Sequence, residues 1–209
     1  MKEYLISSMM AFVTLSGMPR SPIHVGDISG VNKIERILVS EKVKSIVWEI
    51  EGSADIVLEK SENTFTINDL KYSGTSKNPI TLFDLGEVIK LSQIREQGIN
   101  SNPKTSFRLA IPQDKFITIA AGNLSMSGEV SGRGITISVG NLRTQALKMD
   151  IPKVIITGGN VELNTVIPSA QQISVTVGAV SGEITVPKSA TLSVTAGLNS
   201  LKVNSINGK

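Results

Sequence analysis

The sequence contains no cysteine and only one histidine. The missing thiols exclude disulfide bonds, cysteine nucleophiles and zinc sites that are built on thiolates. The one histidine, His24, has Pro19, Pro22 and Gly26 as near neighbours in the sequence, a composition typical of loops. We therefore interpret His24 as a surface residue and not as the base of a Ser-His-Asp triad.

Aromatic residues are few, at one Trp, two Tyr and five Phe, and none follows Phe116. Charge is nearly balanced, since 21 basic and 18 acidic residues give a formal net charge of +3. The basic residues are scattered, whereas a nucleic-acid-binding protein presents a clustered basic face. The densest basic run, residues 33–44, also carries Glu35 and Glu41, which is typical of a solvated strand and turn. No nucleic-acid partner is predicted.

Long hydrophobic runs are also missing. The one apolar-leaning stretch, from Tyr4 to Ser16, is too short for a transmembrane helix, so no integral membrane span is predicted. Residues 1–21 form either an export segment cleaved near Gly17 or an N-terminal arm packed on the body. Export to the cell envelope is the favoured interpretation. The cytoplasm stays the alternative, because Glu3 and Ser7 weaken the signal-peptide pattern.

What the sequence does contain is a repeated glycine. Five glycines recur at spacings of 18, 19, 19 and 19 residues, each after a segment rich in aliphatic and hydroxyl side chains. They are Gly122, Gly140, Gly159, Gly178 and Gly197. A period near 20 with strand-like composition is typical of the stacked coils of a β-solenoid. We predict an all-β fold with a single-stranded, β-helix-like solenoid whose coils are about 19 residues long.

Each repeat begins five residues before its glycine. Its first and third residues are always Ile, Val or Leu, as in Ile117 and Ile119. Because side chains alternate across a strand, these residues should point into a shared core. The glycine marks a corner, either because the backbone needs a positive φ there or because neighbouring coils approach closely.

Three of the five glycines are followed by asparagine, at Asn123, Asn141 and Asn160. Asparagine tolerates left-handed backbone, and stacked asparagines form amide ladders. The outward positions between the core residues carry mostly Thr and Ser, as at Thr136 and Ser138. We interpret this flat, hydroxyl-rich surface mainly as strand propensity, with ice binding as the alternative.

The chain before the repeats is strand-like without a clean period. Ser45 to Ile67 predicts a β-meander, in which the chain turns at 52–54 and again at 61–63. We expect an N-terminal β region over 22–112 that continues into the repeat solenoid over 113–209. Other predicted strands lie within 85–94 and at 107–112, and predicted loops lie at 21–30, 72–79 and 98–104.

Groups suited to catalysis are sparse. Ser101 to Lys104 matches an S-x-x-K string, but Pro103 and the loop context are unlike the helix that this motif needs. Glu49, Asp55 and Glu59 lie on predicted half-exposed strands, where alternating acidic residues are ordinary and do not require an acid–base or calcium site. The repeats carry no regularly spaced Asp. We predict no catalytic residue, no metal ligand and no cofactor.

Three features of the chain resemble a bacterial family. They are the segment SIVWEIEGSADIVLEKSENTFTI from Ser45, the segment FRLAIPQDKFITI from Phe107, and the repeated Gly-Asn corners. Over about residues 40–209 the chain resembles the head GIN putative auto-transporter adhesin family and the related putative-adhesin β-strand-repeat domains of unknown function. The resemblance implies an exported, repetitive β-solenoid of the cell envelope, and it carries over no catalytic or binding position.

Three functions follow as alternatives. The favoured one is a non-enzymatic envelope or surface protein that serves as an adhesion or protein-interaction module for an unidentified protein or envelope component. The second is a scaffold that forms homo-oligomers through exposed solenoid ends, since unpaired strand edges promote association. The third, a polysaccharide lyase or hydrolase, is disfavoured because the repeats lack aromatic platforms and clustered carboxylates.

Overall fold

The computed structural model describes residues 12–14, 23–25, 35–38, 41–62, 64–73, 80–93 and 104–206. Throughout these ranges the regular structure is β-strand, and thirteen strands belong to one mostly parallel sheet. The predicted all-β class is confirmed. A helix long and apolar enough to cross a membrane is not found in these ranges.

The strands fall into an irregular first group and a regular second group. The first group is β1 (Phe12–Thr14), β2 (Ile23–Val25), β3 (Glu35–Leu38), β4 (Ser45–Ser61), β5 (Thr64–Ser73), β6 (Ile80–Asp84), β7 (Val88–Gln93) and β8 (Lys104–Pro112). The second is β9 (Phe116–Ser131), β10 (Gly134–Asp150), β11 (Lys153–Val166), β12 (Gln172–Pro187) and β13 (Thr191–Ile206). The main strand order is β1-β3-β5-β8-β4-β9-β10-β11-β12-β13.

Strands β9 to β13 pair in parallel, each with the next along the chain. The first residues of the five repeats lie side by side in the order Ile117, Ile135, Val154, Ile173 and Leu192. This register places chemically equivalent side chains next to one another on successive strands. Any residue type that recurs in the repeats therefore becomes a row across the sheet.

In each of these long strands the alternation of buried and exposed side chains changes phase at the repeated glycine. In β10 the buried residues are Ile135, Ile137 and Val139, and the next buried residue is Leu142. Gly140 and Asn141, between them, are both exposed, so the alternation of inner and outer side chains shifts by one residue. The two halves of the strand thereby contribute to one continuous apolar core, which extends from Val43 to Val186.

The predicted turn at 52–54 is wrong. Ser45 to Ser61 is one strand of 17 residues, and it pairs in parallel with β9 along both halves. Gly52, at φ 105°, bends the strand instead of reversing it. The pairing register shifts between Ile50 and Ser53, because β4 carries one more residue here than β9 does. β4 is therefore a parallel neighbour of β9, just as β9 is a parallel neighbour of β10. The region is not a meander.

At the N-terminal end of the sheet, β4 has two parallel partners on its second edge. Its first half pairs with β7 and its second half with β8, while β2, β3, β5 and β6 add antiparallel pairs. Three aromatic residues lie in the core here. Trp48 stacks on Phe107 at a ring-centroid distance of 4.6 Å and lies 6.4 Å from Phe65.

Several local predictions can be compared with this region. Strands predicted within 85–94, at 64–67 and at 107–112 are confirmed by β7, β5 and β8. The loop predicted at 21–30 is wrong for Ile23–Val25, which form β2 and pair with β6; its other residues lie outside the described ranges. The division of the chain near residue 112 stays a prediction, although β4 and β9 pair across it.

Candidate functional site

The repeated glycines lie against one another along the bend of the sheet. A Cβ atom built on Gly140 would stand 2.6 Å from the carbonyl oxygen of Gly122, and one on Gly159 would stand 2.6 Å from that of Gly140. For Gly122, Gly178 and Gly197 the nearest distances are 2.8, 2.9 and 3.0 Å. None of the five has a positive φ. Of the two reasons considered for these glycines, close approach of neighbouring backbones is the one that applies.

Beside the glycines runs a row of side chains that we call the amide row. Asn123 donates from Nδ2 to the hydroxyl oxygen of Ser53 at 3.1 Å. Asn141 donates to Oδ1 of Asn123 at 2.7 Å, and Asn160 donates to Oδ1 of Asn141 at 3.0 Å. The next positions of the row, on β12 and β13, are Ala179 and Leu198, so the chain of hydrogen bonds ends at Asn160.

A second row lies two residues further along each strand, on the same outward side. Its members, in strand order from β4 to β13, are Asp55, Ser125, Arg143, Glu162, Ser181 and Ser200. Buried aliphatic residues such as Leu124 and Leu142 separate the two rows. We call this one the mixed row, because it contains hydroxyl groups and charges of both signs.

The two rows line an open groove, which we call the corner groove, with a volume of about 690 Å³. The groove crosses β4 and β9 to β13, and Lys104 of β8 lies at one end of it. Its charges are paired: Lys104 lies 2.7 Å from Asp55, and Arg143 Nε lies 3.4 Å from Glu162. Two cations and two carboxylates therefore leave the lining formally neutral.

Outside the groove the carboxylates also meet cations on neighbouring strands. Glu49 lies 2.8 Å from Lys90, and Glu59 lies 2.8 Å from Arg108. In a parallel register, opposite charges placed side by side stabilise the correct pairing, whereas like charges would oppose it. These side chains fit the ordinary strand pattern expected of them better than an acid–base site.

Among the described residues, the carboxylate whose pKa is shifted furthest lies between two lysines. Oε1 of Glu129 lies 2.8 Å from Nζ of Lys148 and 2.6 Å from Nζ of Lys60. Hydrogen bonds from Lys148 and then Lys60 lower the pKa of Glu129 from 4.5 to about 2. The same contact raises the pKa of Lys148. The three residues belong to adjacent strands β4, β9 and β10, so the cluster fastens these strands together.

The remaining sequence candidates are not brought together. Ser101 to Pro103 lie outside the described ranges, and Lys104 begins β8. His24 lies in β2. Where the structure describes the chain, no three His, Asp or Glu residues are grouped so as to hold a metal ion. On the flat outer surface, the hydroxyls of Ser138 and Thr157 lie 3.0 Å apart.

Sequence reasoning identified the amide row but missed the mixed row and Ser53. Arg143 and Glu162 differ in type and stand 19 residues apart, so nothing local in the sequence connects them. Both stand two residues after a Gly-Asn pair, as Ser125 does. This shared distance from the Gly-Asn pair is the feature of the sequence that could have predicted the mixed row.

Comparison with known proteins gives little that is specific. No family model matches this chain, and no curated protein matches it. Among solved structures, it is similar to a crystal structure described as a "putative cell adhesion protein" from Clostridium sporogenes ATCC 15579, with a TM-score of 0.45 and 12% sequence identity over 84% of this chain and 100% of that one. A likeness this slight carries no argument about function.

Proposed function

We propose that this chain is a β-solenoid of the bacterial cell envelope or surface that acts, without catalysis, as an adhesion or protein-interaction module. The corner groove is its binding surface. The strands that build the groove are the coils of the solenoid, and each supplies one side chain to the amide row and one to the mixed row.

The observation that carries the proposal is the continuity of the corner groove. It crosses six neighbouring strands with polar groups in register, and buried residues of the core lie directly beneath it. Stacked repeats produce extended concave surfaces of this kind, and sites on packed strands hold their geometry better than sites on loops. An elongated, rigid surface that combines rows of polar side chains with apolar area suits the capture of an extended partner.

The chemistry of the groove supports binding over catalysis. Asp55 and Glu162 each face a cation, so both carboxylates of the groove are already engaged in ion pairs. The other polar groups of the two rows are amides and hydroxyls. Neither row contains a histidine, the residue that most often acts as the base for a serine nucleophile.

The proposal is tested with the full chain on two questions, location and binding. Protease added to intact producing cells should digest the chain if it is displayed at the surface. Purified chain should be retained by envelope fractions of the same cells, and Asn141→Ala should reduce that retention at least several-fold. Thr136→Ala, on the flat outer surface of the same strand, is the matched control. If envelope fractions retain the Asn141→Ala variant as fully as the parent, the corner groove is not the binding surface.

A second function, self-assembly, is favoured by the exposure of β13. Leu198 and Val203 are 73% and 48% exposed, and among the described strands β13 pairs only with β12. The partner proposed for this edge is a second copy of the chain, because the β13 strand of that copy offers an equally exposed edge. Light scattering over a concentration series should then show growth in size that Val203→Lys abolishes. A strict monomer at high concentration rules this function out.

A further inference from the structure

The geometry points to a binding site that a second copy of the chain completes. Two copies pair through β13, antiparallel and about a two-fold axis, and their corner grooves join into one. The inference rests on the self-assembly proposed above and adds the direction of pairing, the position of the axis and the consequence for the groove. It follows from the composition of β13, the difference between the two ends of the sheet, and the residue that β13 contributes to the amide row.

Strand β13 lacks most of the features that protect an edge strand from association. Such strands are usually short, or they carry charges and proline. The 16 residues of Thr191–Ile206 include one charge, Lys202, and no proline. The inward side chains of Leu192 and Val194 are only partly buried, whereas Ile173, the neighbour of Leu192 on β12, is buried. The apolar core is therefore open at β13, and one more strand would cover it.

The other end of the sheet offers β13 no comparable edge. There the second edge of β4 is already occupied by β7 and β8. The strands that lie furthest out among those described, β1 and β2, are three residues long each, too short to cover β13. Head-to-tail stacking, which would extend into a filament, therefore has no second surface in the described part of the chain. Pairing of β13 with another β13 uses both edges, so the assembly closes at two copies.

The buried face decides the direction of pairing. Parallel pairing of two identical edges requires one strand to be turned over, which puts inward side chains of one copy beside outward side chains of the other. Antiparallel pairing about an axis perpendicular to the sheet keeps all inward side chains on one face. Two bent strands follow one another only if this axis passes through the bend. The inward positions nearest the bend are Ala196 and Asn199, both paired with buried residues of β12, so the axis lies midway, between Gly197 and Leu198.

This axis gives compatible neighbours along the new pair of strands. Lys202, the one charge of β13, falls beside Ser193 of the second copy, so like charges do not meet. Thr195 falls beside Ser200, which joins two hydroxyl side chains. The pairs on the buried face are Leu192 with Val203, Val194 with Leu201, and Ala196 with Asn199. The first two are aliphatic and extend the core from one copy into the other.

Leu198 connects this dimer to the corner groove. It stands on β13 at the position where β9 to β11 carry asparagine, and it lines the groove. It is also the most exposed large hydrophobic residue of the described ranges. Beside the axis, Leu198 of one copy lies next to Leu198 of the other, so both are covered where the two grooves meet. The joined groove crosses six strands of each copy, and a surface that displays the ligand repeatedly engages both halves at once, which raises the apparent affinity.

Charge exchange at Leu198 tests the position of the axis. Leu198→Lys and Leu198→Glu each place like charges side by side and should dimerise about tenfold or more weakly than the parent in sedimentation equilibrium. An equal mixture of the two variants should recover dimers, because opposite charges then meet at the axis. Val166→Lys, at an exposed valine of β11 outside the groove, is the matched control and should dimerise like the parent. Single variants that dimerise as well as the parent, or a mixture that stays monomeric while the parent dimerises, overturn this axis.

The mass of the parent chain separates this inference from self-assembly in general. The mass should rise with concentration and level off at that of two chains. Growth beyond two chains overturns the closed dimer and leaves self-assembly intact. The mass of one chain at every concentration contradicts both.

The joined groove is tested with Val203→Lys, which changes β13 outside the groove lining. Envelope fractions should retain this variant several-fold less than the parent, because each monomer offers only one half of the site. Equal retention of the parent and a monomeric Val203→Lys variant overturns the joined groove while leaving the adhesion module intact. Retention of neither one contradicts the adhesion module, and the joined site with it.

Discussion

Gly140 lies against Gly122 so closely that a Cβ atom on Gly140 would stand 2.6 Å from the carbonyl oxygen of Gly122. The same contact is repeated between Gly159 and Gly140. Where the strands bend, their backbones therefore approach without room for a side chain between them. This contact sets the position of the bend, and the bend in turn sets the course of the corner groove.

Substitution of a corner glycine by valine should be costly. In Gly159→Val the new side chain meets the carbonyl of Gly140, and relieving such overlap costs about 1–3 kcal/mol or more. Thr136→Val places the same side chain on the outer surface of the neighbouring strand and should change stability by less than about 0.5 kcal/mol. Urea unfolding of both variants measures the difference. Equal midpoints would show that the corner does not depend on close approach.

A buried pair of hydroxyls joins β10 to β11. The hydroxyl oxygens of Thr144 and Thr165 lie 2.7 Å apart, and the hydroxyl of Thr144 also accepts the backbone N–H of Asn164 at 2.7 Å. Thr144→Val preserves shape but leaves both partners without that oxygen, which should lower the free energy of unfolding by about 1–3 kcal/mol. Thr136→Val, half-buried on the outward face of the same strand, is the control. A Thr144→Val variant as stable as the parent would contradict the contact.

The Glu129 cluster predicts a defined dependence on pH. The pKa of this carboxyl is lowered from 4.5 to about 2, so its contribution to stability is complete above pH 4.5 and is lost as the pH falls towards 2. Glu129→Gln should therefore melt at a lower temperature than the parent at pH 6, and the two should converge near pH 2. Low salt is needed, because the cluster is partly exposed to solvent and is screened.

The control for that experiment is Glu162→Gln. Among the described residues, Glu162 faces one cation, Arg143, at 3.4 Å, whereas Glu129 faces two lysines within 2.8 Å. The Glu162→Gln variant should show a smaller loss at pH 6. If the two variants lose equal stability across the whole range, the paired lysines have no special effect on Glu129.

The regular half of the fold was predictable because its signals are local. Aliphatic residues at the first and third positions of each repeat, such as Ile135 and Ile137, specify one buried face without reference to the rest of the chain. The register follows from the same repeat, since shifting one strand by a residue would turn its buried face outward. Sequence alone therefore predicted which core side chains of the repeats would lie next to one another on β9 to β13.

The parallel pairing of β4 with β9 was not predicted, because one inserted residue in β4 obscures the repeat pattern. In β4 the apolar residues Ile46 and Trp48 are followed by Gly52, which stands one position later than the glycine of each repeat. The extra residue is absorbed as a bulge, and Gly52-Ser53 has the composition of a turn. Whether such a pair reverses a strand or bends it is decided by what packs against it, here β7, β8 and β9.

The candidate site was predictable only in part for a related reason. Asn141 and Asn160 repeat the same residue type, so their contact could be expected. The pairing of Arg143 with Glu162 joins unlike residues and depends on the register of two whole strands. The corner groove forms only where several bent strands lie side by side. No single segment of the sequence therefore predicts it.

The central claim is the parallel register that creates both rows of the corner groove, and engineered disulfides test it most directly. The chain has no cysteine of its own, so a pair introduced by Ser138→Cys and Thr157→Cys would be the only thiols. These positions are paired across β10 and β11, at about 4.8 Å between Cα atoms, which suits a disulfide. The control, Ser138→Cys with Ile155→Cys, is displaced by two residues to about 8 Å. We expect rapid oxidation to a monomeric disulfide for the first pair only; faster closure of the control pair would contradict the register.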